Sequence, residues 1–178
     1  QKTAYEIPKR DWSSDVCSSD LEACSYCIIP TTRGRPRSVP VDDVLAQVQR
    51  VAVAGYREIA LTGVHLGSYG RDIGTSLVEL LRSLQSFQSL IPHPQSLLFR
   101  ISSLEPNDCS REIVDLVAGG NGLAPHFHLP LQHASNRMLA AMRRPYTIDI
   151  YARLVDDIRR RIPHASIGSD VIVGFPGE

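Results

Sequence analysis

Short apolar runs alternate with stretches of helical periodicity along most of this chain, and that alternation leaves few folds open to it. Val44, Leu45, Val48, Val51 and Ala52 share one face of a helix predicted over Val41–Ala54, with Pro40 suiting its first turn, Asp42 and Asp43 its positive end and Gly55 its stop. Glu58–Thr62 follows as a short strand closed by Gly63. Ser76-Leu-Val-Glu79 is a capping box that opens a second helix, with Leu77, Leu80, Leu81 and Leu84 on one side. Further strands are predicted at Leu97–Ser102, His126–Leu131 and Ser166–Val173, and helices at Ser110–Ala118, Asn136–Met142 and Ile148–Ile162. Gly119-Gly120 stops the first of these helices; Thr147 suits the cap of the last and Pro163 its end.

Strands joined through helices pair in parallel, so the expected fold class is α/β with a parallel sheet. Such folds gather ligands at the carboxyl ends of their strands. The polar and glycine-rich clusters of this chain fall there each time: residues 62–70, 102–106, 132–135 and 174–178. One such loop is ordinary turn chemistry, whereas a set of them around one sheet argues for a shared site at one rim.

Composition divides the chain near residue 21. From Glu22 onward there are sixteen Arg and no Lys, while both lysines, Lys2 and Lys9, precede that point. Gln1–Ile7 and Asp11–Leu21 are what two blocks of a high-throughput sequencing adapter encode when translated, so residues 1–21 are read as adapter-derived and set outside the fold. The remainder, Glu22–Glu178, is the size of one domain. Its sixteen Arg against fifteen Asp plus Glu exclude a strong nucleic-acid field over the whole surface and leave room for a local patch. No run approaches the roughly 18 apolar residues of a membrane span, and four Cys at irregular spacing form no disulfide framework. The expectation is a cytoplasmic protein with no membrane partner, working as a monomer.

Cys24-Ser-Tyr-Cys27 carries the chemistry. Two thiolates at this spacing clamp a soft metal or cluster, but two ligands alone rarely hold one. Taken by itself the pair leaves zinc, redox and purely structural roles open. His126 and His128 alternate onto one strand face without a third ligand nearby in sequence and are read as structural; Cys109, without a partner in sequence, is read as a free thiol.

The pair sits just before the first βα unit. That position resembles the radical S-adenosylmethionine superfamily, whose signature is Cys-x3-Cys-x2-Cys with an aromatic residue before the last cysteine, a place held here by Tyr26. Cys24–Ser38, Leu61–Gly70, Arg100–Pro106, His128–Gln132, Met142–Thr147 and Asp170–Glu178 together are similar to the methylthiotransferase branch of that superfamily. The loop Thr62-Gly-Val-His-Leu-Gly-Ser-Tyr-Gly70 is most similar to the members acting on N6-threonylcarbamoyladenosine in tRNA, 3′ of the anticodon.

The resemblance implies a transferase with a 4Fe-4S cluster on three thiolates and S-adenosylmethionine chelated to the open iron. One S-adenosylmethionine methylates sulfur and a second yields the radical that activates C2 of the adenosine, where a methylthio group is attached. Cys24 and Cys27 match two of the three cluster ligands, and Tyr26 is expected against the cluster or the adenine. Thr62 and Gly63 match the place that holds the methionine amino group. Ser103 and Glu105 match ribose and carboxylate contacts, and Gln132 and Asp170 the pocket wall or the substrate base. Arg33, Arg35 and Arg37 are read first as a solvated arginine face and second as contacts to tRNA phosphate. No residue is singled out as catalytic. Implied partners are tRNAs reading ANN codons and an electron donor such as flavodoxin or ferredoxin.

This chain departs from the pattern in one place. The third cysteine belongs four residues before Cys24, where Asp20 stands, and Cys17 is read as an accident of the adapter's reading frame. The branch also carries a second 4Fe-4S cluster in an N-terminal domain and a small C-terminal β-barrel. The resemblance therefore implies that residues 22–178 are an incomplete radical S-adenosylmethionine core, a partial parallel β/α barrel truncated at both ends and by itself inactive. The rivals are another radical S-adenosylmethionine enzyme with the same barrel, and a non-enzymatic zinc-binding module using Cys17, Cys24 and Cys27.

Overall fold

The computed structural model describes residues 24–32, 37–88 and 97–178. The adapter-like segment, Cys17, Asp20, Arg33 and Arg35 lie outside the described residues. In chain order the elements are α1 (Ile29–Thr32), α2 (Val41–Val53), β1 (Glu58–Leu61), a 3-10 turn (Leu66–Ser68), α3 (Leu77–Gln88), β2 (Leu98–Ile101), α4 (Arg111–Ala118), β3 (His126–His128), α5 (Asn136–Ala141), α6 (Ile148–Arg161) and β4 (Ser166–Gly168).

β1 pairs in parallel with β2 from Glu58↔Leu98 to Leu61↔Ile101, and β3 with β4 from His126↔Ser166 to His128↔Gly168. Parallel bridges Phe99↔Leu123 and Ser103↔His128 join the two ladders, so the strands follow one another in sequence order. Every crossover runs through helix, as the alternating pattern requires.

Side chains on β2 alternate between buried and exposed. Phe99, Ile101 and Phe127 point into a core shared with Leu80, Leu81 and Leu84 of α3, Val114 and Val117 of α4 and Ile158 of α6. Arg100 lies on the opposite face, where its Nε donates to Glu58 Oε1 at 2.8 Å. Helices therefore cover one face of the sheet, and the other face together with the strand ends is left for polar groups.

Three local expectations are corrected. Pro40 stands just outside α2 rather than in its first turn: its ψ of 146° is extended, and its carbonyl accepts from Val44 N at 3.1 Å. Thr147 occupies the cap position of α6 without a capping side-chain bond; Asn136 Oδ1 accepts from Ile148 N instead, at 2.8 Å. The strands predicted over 126–131 and 166–173 stop at His128 and Gly168. Pro130 has no N–H to give, and Leu131 N donates to Ser169 Oγ at 3.0 Å rather than to a strand carbonyl. Pairing resumes where Gln132 N donates to Asp170 O at 2.9 Å and Ile172 N to Gln132 O at 2.7 Å. By contrast Ser110 caps α4 through Ile113 N, and Ser76 accepts from Glu79 N at 3.2 Å while the Glu79 carboxylate accepts from Thr75 Oγ1 at 2.6 Å.

Candidate functional site

The cysteine pair sits on a tight turn, with Cys27 N donating to Cys24 O at 3.1 Å. The turn is docked on the segment that leaves α5. Ser25 N donates to Met142 O at 3.2 Å and Ser25 Oγ to Ala141 O at 3.0 Å. Cys24 is half-buried and its Sγ accepts from Arg144 Nη1 at 2.9 Å; Cys27 is exposed. Arg144 Nη2 pairs with the Glu105 carboxylate, Arg144 Nε donates to Tyr146 Oη at 3.3 Å, and the guanidinium lies 5.2 Å from the centre of the Tyr146 ring. Tyr146 Oη in turn donates to Pro130 O at 2.8 Å. The Arg144 side chain is only 3% exposed, so its charge is carried by these partners and not by water.

Backbone geometry aims that arginine. Arg143, just past α5, has a φ of 59°, and the hydrogen bonds Arg143 N→Ala140 O (3.0 Å) and Arg144 N→Leu139 O (2.8 Å) close the helix end. Such a left-handed stop is ordinarily a glycine. An arginine there carries about 1–2 kcal/mol of strain. Arg143→Gly relieves it while loosening the unfolded chain by about 0.4–1 kcal/mol. The net expectation is a gain of about 0.5–1 kcal/mol in urea unfolding.

The strand ends converge on the same rim. Ser103 Oγ lies 2.7 Å from His128 Nδ1, and His128 Nε2 lies 3.4 Å from Asp170 Oδ1, a row crossing the ends of β2, β3 and β4. Gly168, opposite His128, leaves the ring its place: a β-carbon there would stand 3.2 Å from His128 Cδ2. Gln132 holds a φ of 65° beside Asp170. Farther along, His133 Nε2 meets Glu178 Oε1 at 3.3 Å and Arg137 Nη1 donates to Gly177 O at 2.8 Å, tying the last loop to the loop after β3. The His133 contact, with the amides of Gly174 and Phe175, holds the Glu178 carboxyl below its usual range. Phe175 of that loop meets Tyr26 edge-on, with ring centres 6.2 Å apart. Burial raises the Tyr26 hydroxyl pKa, partly offset by Arg144.

Thr62 and Gly63 follow β1, and the loop after them is locked to the next one by His65 Nε2, 2.7 Å from Asp108 Oδ2, and by Arg71 Nη2, 3.3 Å from Asp108 Oδ1. Gly67 permits this approach, since a β-carbon there would fall 2.2 Å from Asp108 Cβ. Ser38 bonds the same loop from the other side through Asp72 and Gly70 N, which fixes the exposed Arg37 next to it.

His126 lies on the open face with its pKa lowered by burial and then by Arg100 and His128. Cys109 is buried, and burial with Asp108 beside it pushes its thiol up to about 12. Iodoacetamide at pH 8 is expected to modify exposed Cys27 in the native chain and to reach Cys109 only after unfolding, read by peptide mass spectrometry.

The profile of the radical SAM superfamily matches residues 13–178. The chain belongs to the radical SAM superfamily. Its sequence relatives include proteins named tRNA-2-methylthio-N(6)-dimethylallyladenosine synthase. That of Fervidobacterium nodosum is 43% identical over 157 residues, covering 87% of this chain and 35% of the relative. That of Thermotoga petrophila is 40% identical over 182 residues, covering 98% and 40%. The chain thus spans a little over a third of the length of these relatives. Among solved structures, the radical S-adenosylmethionine methyltransferase TsrM of Kitasatospora setae superposes with a TM-score of 0.67 at 22% identity, over 87% of this chain and 29% of that one. The cobalamin-dependent S-adenosylmethionine radical enzyme OxsB gives 0.53 at 13% identity, over 77% and 19%. These likenesses agree with the parallel α/β arrangement as a part of the radical SAM barrel.

Membership in the radical SAM superfamily implies a 4Fe-4S cluster and S-adenosylmethionine. The described residues offer two thiols on one turn with a guanidinium against the first, soft donors of the kind that hold two corners of an iron–sulfur cluster. Among the described residues no group of three His, Cys, Asp or Glu could hold a metal ion, and the upstream candidates Cys17 and Asp20 lie outside them. The structure brings Cys24, Tyr26 and Glu105 together through Arg144, and Ser103 together with Asp170 through His128. Thr62 and Gly63 lie just past β1, at the start of the loop that His65 and Arg71 tie to Asp108. Sequence reasoning missed Arg144, Tyr146, His65 and Asp108. Met142-Arg-Arg-Pro-Tyr-Thr147 and the loop at 62–70 were family-like words, but which letter in them reaches the rim depends on a left-handed turn and a close approach that no spacing displays.

Proposed function

We propose that this chain is the radical SAM core of a tRNA methylthiotransferase, which attaches a methylthio group to C2 of an N6-modified adenosine 3′ of the anticodon. The observation that carries the reading is the docking of the Cys24–Cys27 turn beside the strand ends that bear Ser103, Glu105, Gln132 and Asp170. Cys24 and Cys27 would hold two corners of the 4Fe-4S cluster. Reduced and bound with S-adenosylmethionine, that cluster supplies the adenosyl radical chemistry of the superfamily. Thr62, Gly63, Ser103, Glu105, Gln132 and Asp170 bind and orient S-adenosylmethionine and the target base, and Tyr26, edge-on to Phe175, packs against the cluster or the adenine. Exposed Arg37 would add a phosphate contact, which gives affinity without base specificity.

The loop Thr62–Gly70 supports threonylcarbamoyladenosine as the substrate, on tRNAs reading ANN codons. The names of the relatives support a second reading, dimethylallyladenosine. The whole enzyme would work in the cytoplasm with a flavodoxin or ferredoxin as electron donor. A second cluster and a tRNA-docking barrel would belong to the length of the relatives that this chain does not span.

Two measurements test the proposal. Anaerobic reconstitution of the full-length enzyme with iron and sulfide is expected to give a brown protein that cleaves S-adenosylmethionine under a low-potential reductant, an activity that residues 22–178 alone are expected not to show; a colourless protein retaining zinc would overturn the proposal. Nucleoside mass spectrometry of tRNA from cells lacking the gene is expected to show loss of the methylthio mark from threonylcarbamoyladenosine. Loss from dimethylallyladenosine instead selects the second reading, and loss from neither sinks both.

A further inference from the structure

Arg144 engages Cys24, Glu105 and Tyr146 at the rim. One nitrogen faces the Cys24 sulfur at 2.9 Å, another the Glu105 carboxylate, the third Tyr146 Oη at 3.3 Å, and the plane lies over the Tyr146 ring. Each guanidinium nitrogen thus has a separate task, which the flat, fork-shaped group can meet and an ammonium cannot. Its position is set by a non-glycine residue in the left-handed region immediately before it, at Arg143. The same segment supplies both carbonyls, Ala141 O and Met142 O, that receive the Ser25 hydroxyl and amide.

We propose that Arg144 is the positioning residue of the cysteine turn: it fixes Cys24 against Glu105 and donates to the Cys24 sulfur, so that it tunes whatever soft metal group the turn carries. The inference rests on the cluster reading above for its second half only. Donors to a ligating sulfur raise the reduction potential of an iron–sulfur centre by stabilising the more negative, reduced form. A cation in the same place acts in the same direction. Arg144 also orders Glu105, since the carboxylate is held at the rim by the group that holds the sulfur.

The first arm needs no metal. Hydrogen exchange read by mass spectrometry on the metal-free chain is expected to show the amides of residues 24–27 exchanging about tenfold faster in Arg144→Gln, the loss of one charge-assisted hydrogen bond. The core amides of β2 and α4 should keep their protection, and Arg144→Lys should restore part of it at residues 24–27. Unchanged exchange at 24–27 overturns the proposal. If Arg144→Gln loses protection throughout, Glu105→Gln takes its place: it leaves the arginine but frees its side chain, and faster exchange confined to 24–27 and the segment after α5 supports the proposal, whereas no change overturns it. The second arm is an EPR-monitored redox titration of reconstituted protein. Arg144→Gln is expected to bind the same iron at a more negative midpoint potential, and an unshifted potential overturns the donation to sulfur. A wild-type chain that takes up no iron overturns the cluster reading, while the exchange arm still decides the positioning role.

Discussion

Cys27→Ala is expected to reduce iron and sulfide uptake in anaerobic reconstitution to background, while shifting urea unfolding by no more than about 0.5 kcal/mol. The two halves have separate causes. Cys27 is exposed, and its structural contact is the backbone turn to Cys24 O at 3.1 Å, which alanine keeps. Its thiol is therefore free for a metal and nearly irrelevant to folding. A centre that has lost one of the two described thiolates has no substitute nearby, because no group of three candidate donors exists among the described residues. Iron content near that of the wild-type chain would refute the assignment of Cys27. Unfolding costs well above that margin would instead show that the turn is part of the core.

Gly70→Ala is expected to cost about 3 kcal/mol or more, measured by urea or thermal unfolding. Gly70 has a φ of +87°, which alone costs an alanine about 1–2 kcal/mol. A β-carbon would also stand 2.5 Å from the Thr75 carbonyl carbon, which is backbone and cannot rotate away. Relief would require opening the turn in which Ile73 N and Thr75 N both donate to Gly70 O, at 3.0 and 2.9 Å, and in which Gly70 N donates to Ser38 Oγ at 2.9 Å. That turn holds the loop after β1 against the Arg37–Ser38 segment, so a lesser loss of S-adenosylmethionine binding is expected even in the folded fraction. A cost below about 1 kcal/mol would show that the loop has room to shift.

The fold was largely legible because its signals are periodic and local. Leu77, Leu80, Leu81 and Leu84 lie on one helix face by spacing alone, and all four are buried. The strand cores were legible for the same reason, but their ends were not. Pro130 and Ser169 break the ladder between β3 and β4, and the residues beyond read as apolar strand in sequence while making only an isolated bridge. Caps were legible where a hydroxyl met its own helix, as at Ser110 and Ser76. At α6 the cap came from Asn136, twelve residues away, through a fold-dependent meeting.

The site divides in the same way. Residues at the carboxyl ends of parallel strands must share a rim, so the sequence by itself determined that Ser103, Gln132 and Asp170 would be neighbours, and it singled out Cys24-Ser-Tyr-Cys27 as the proposed cluster turn. Only the tertiary structure decided what links them. Arg144 lies 120 positions from Cys24 and 39 from Glu105, His65 lies 43 from Asp108, and His128 joins two strand ends. Periodicity reports which face a residue occupies, because that depends only on its own helix or strand. Which charged or sulfur atoms then come within bonding distance depends on how separate elements pack, and for Arg144 on one left-handed residue that nothing in the local pattern distinguishes.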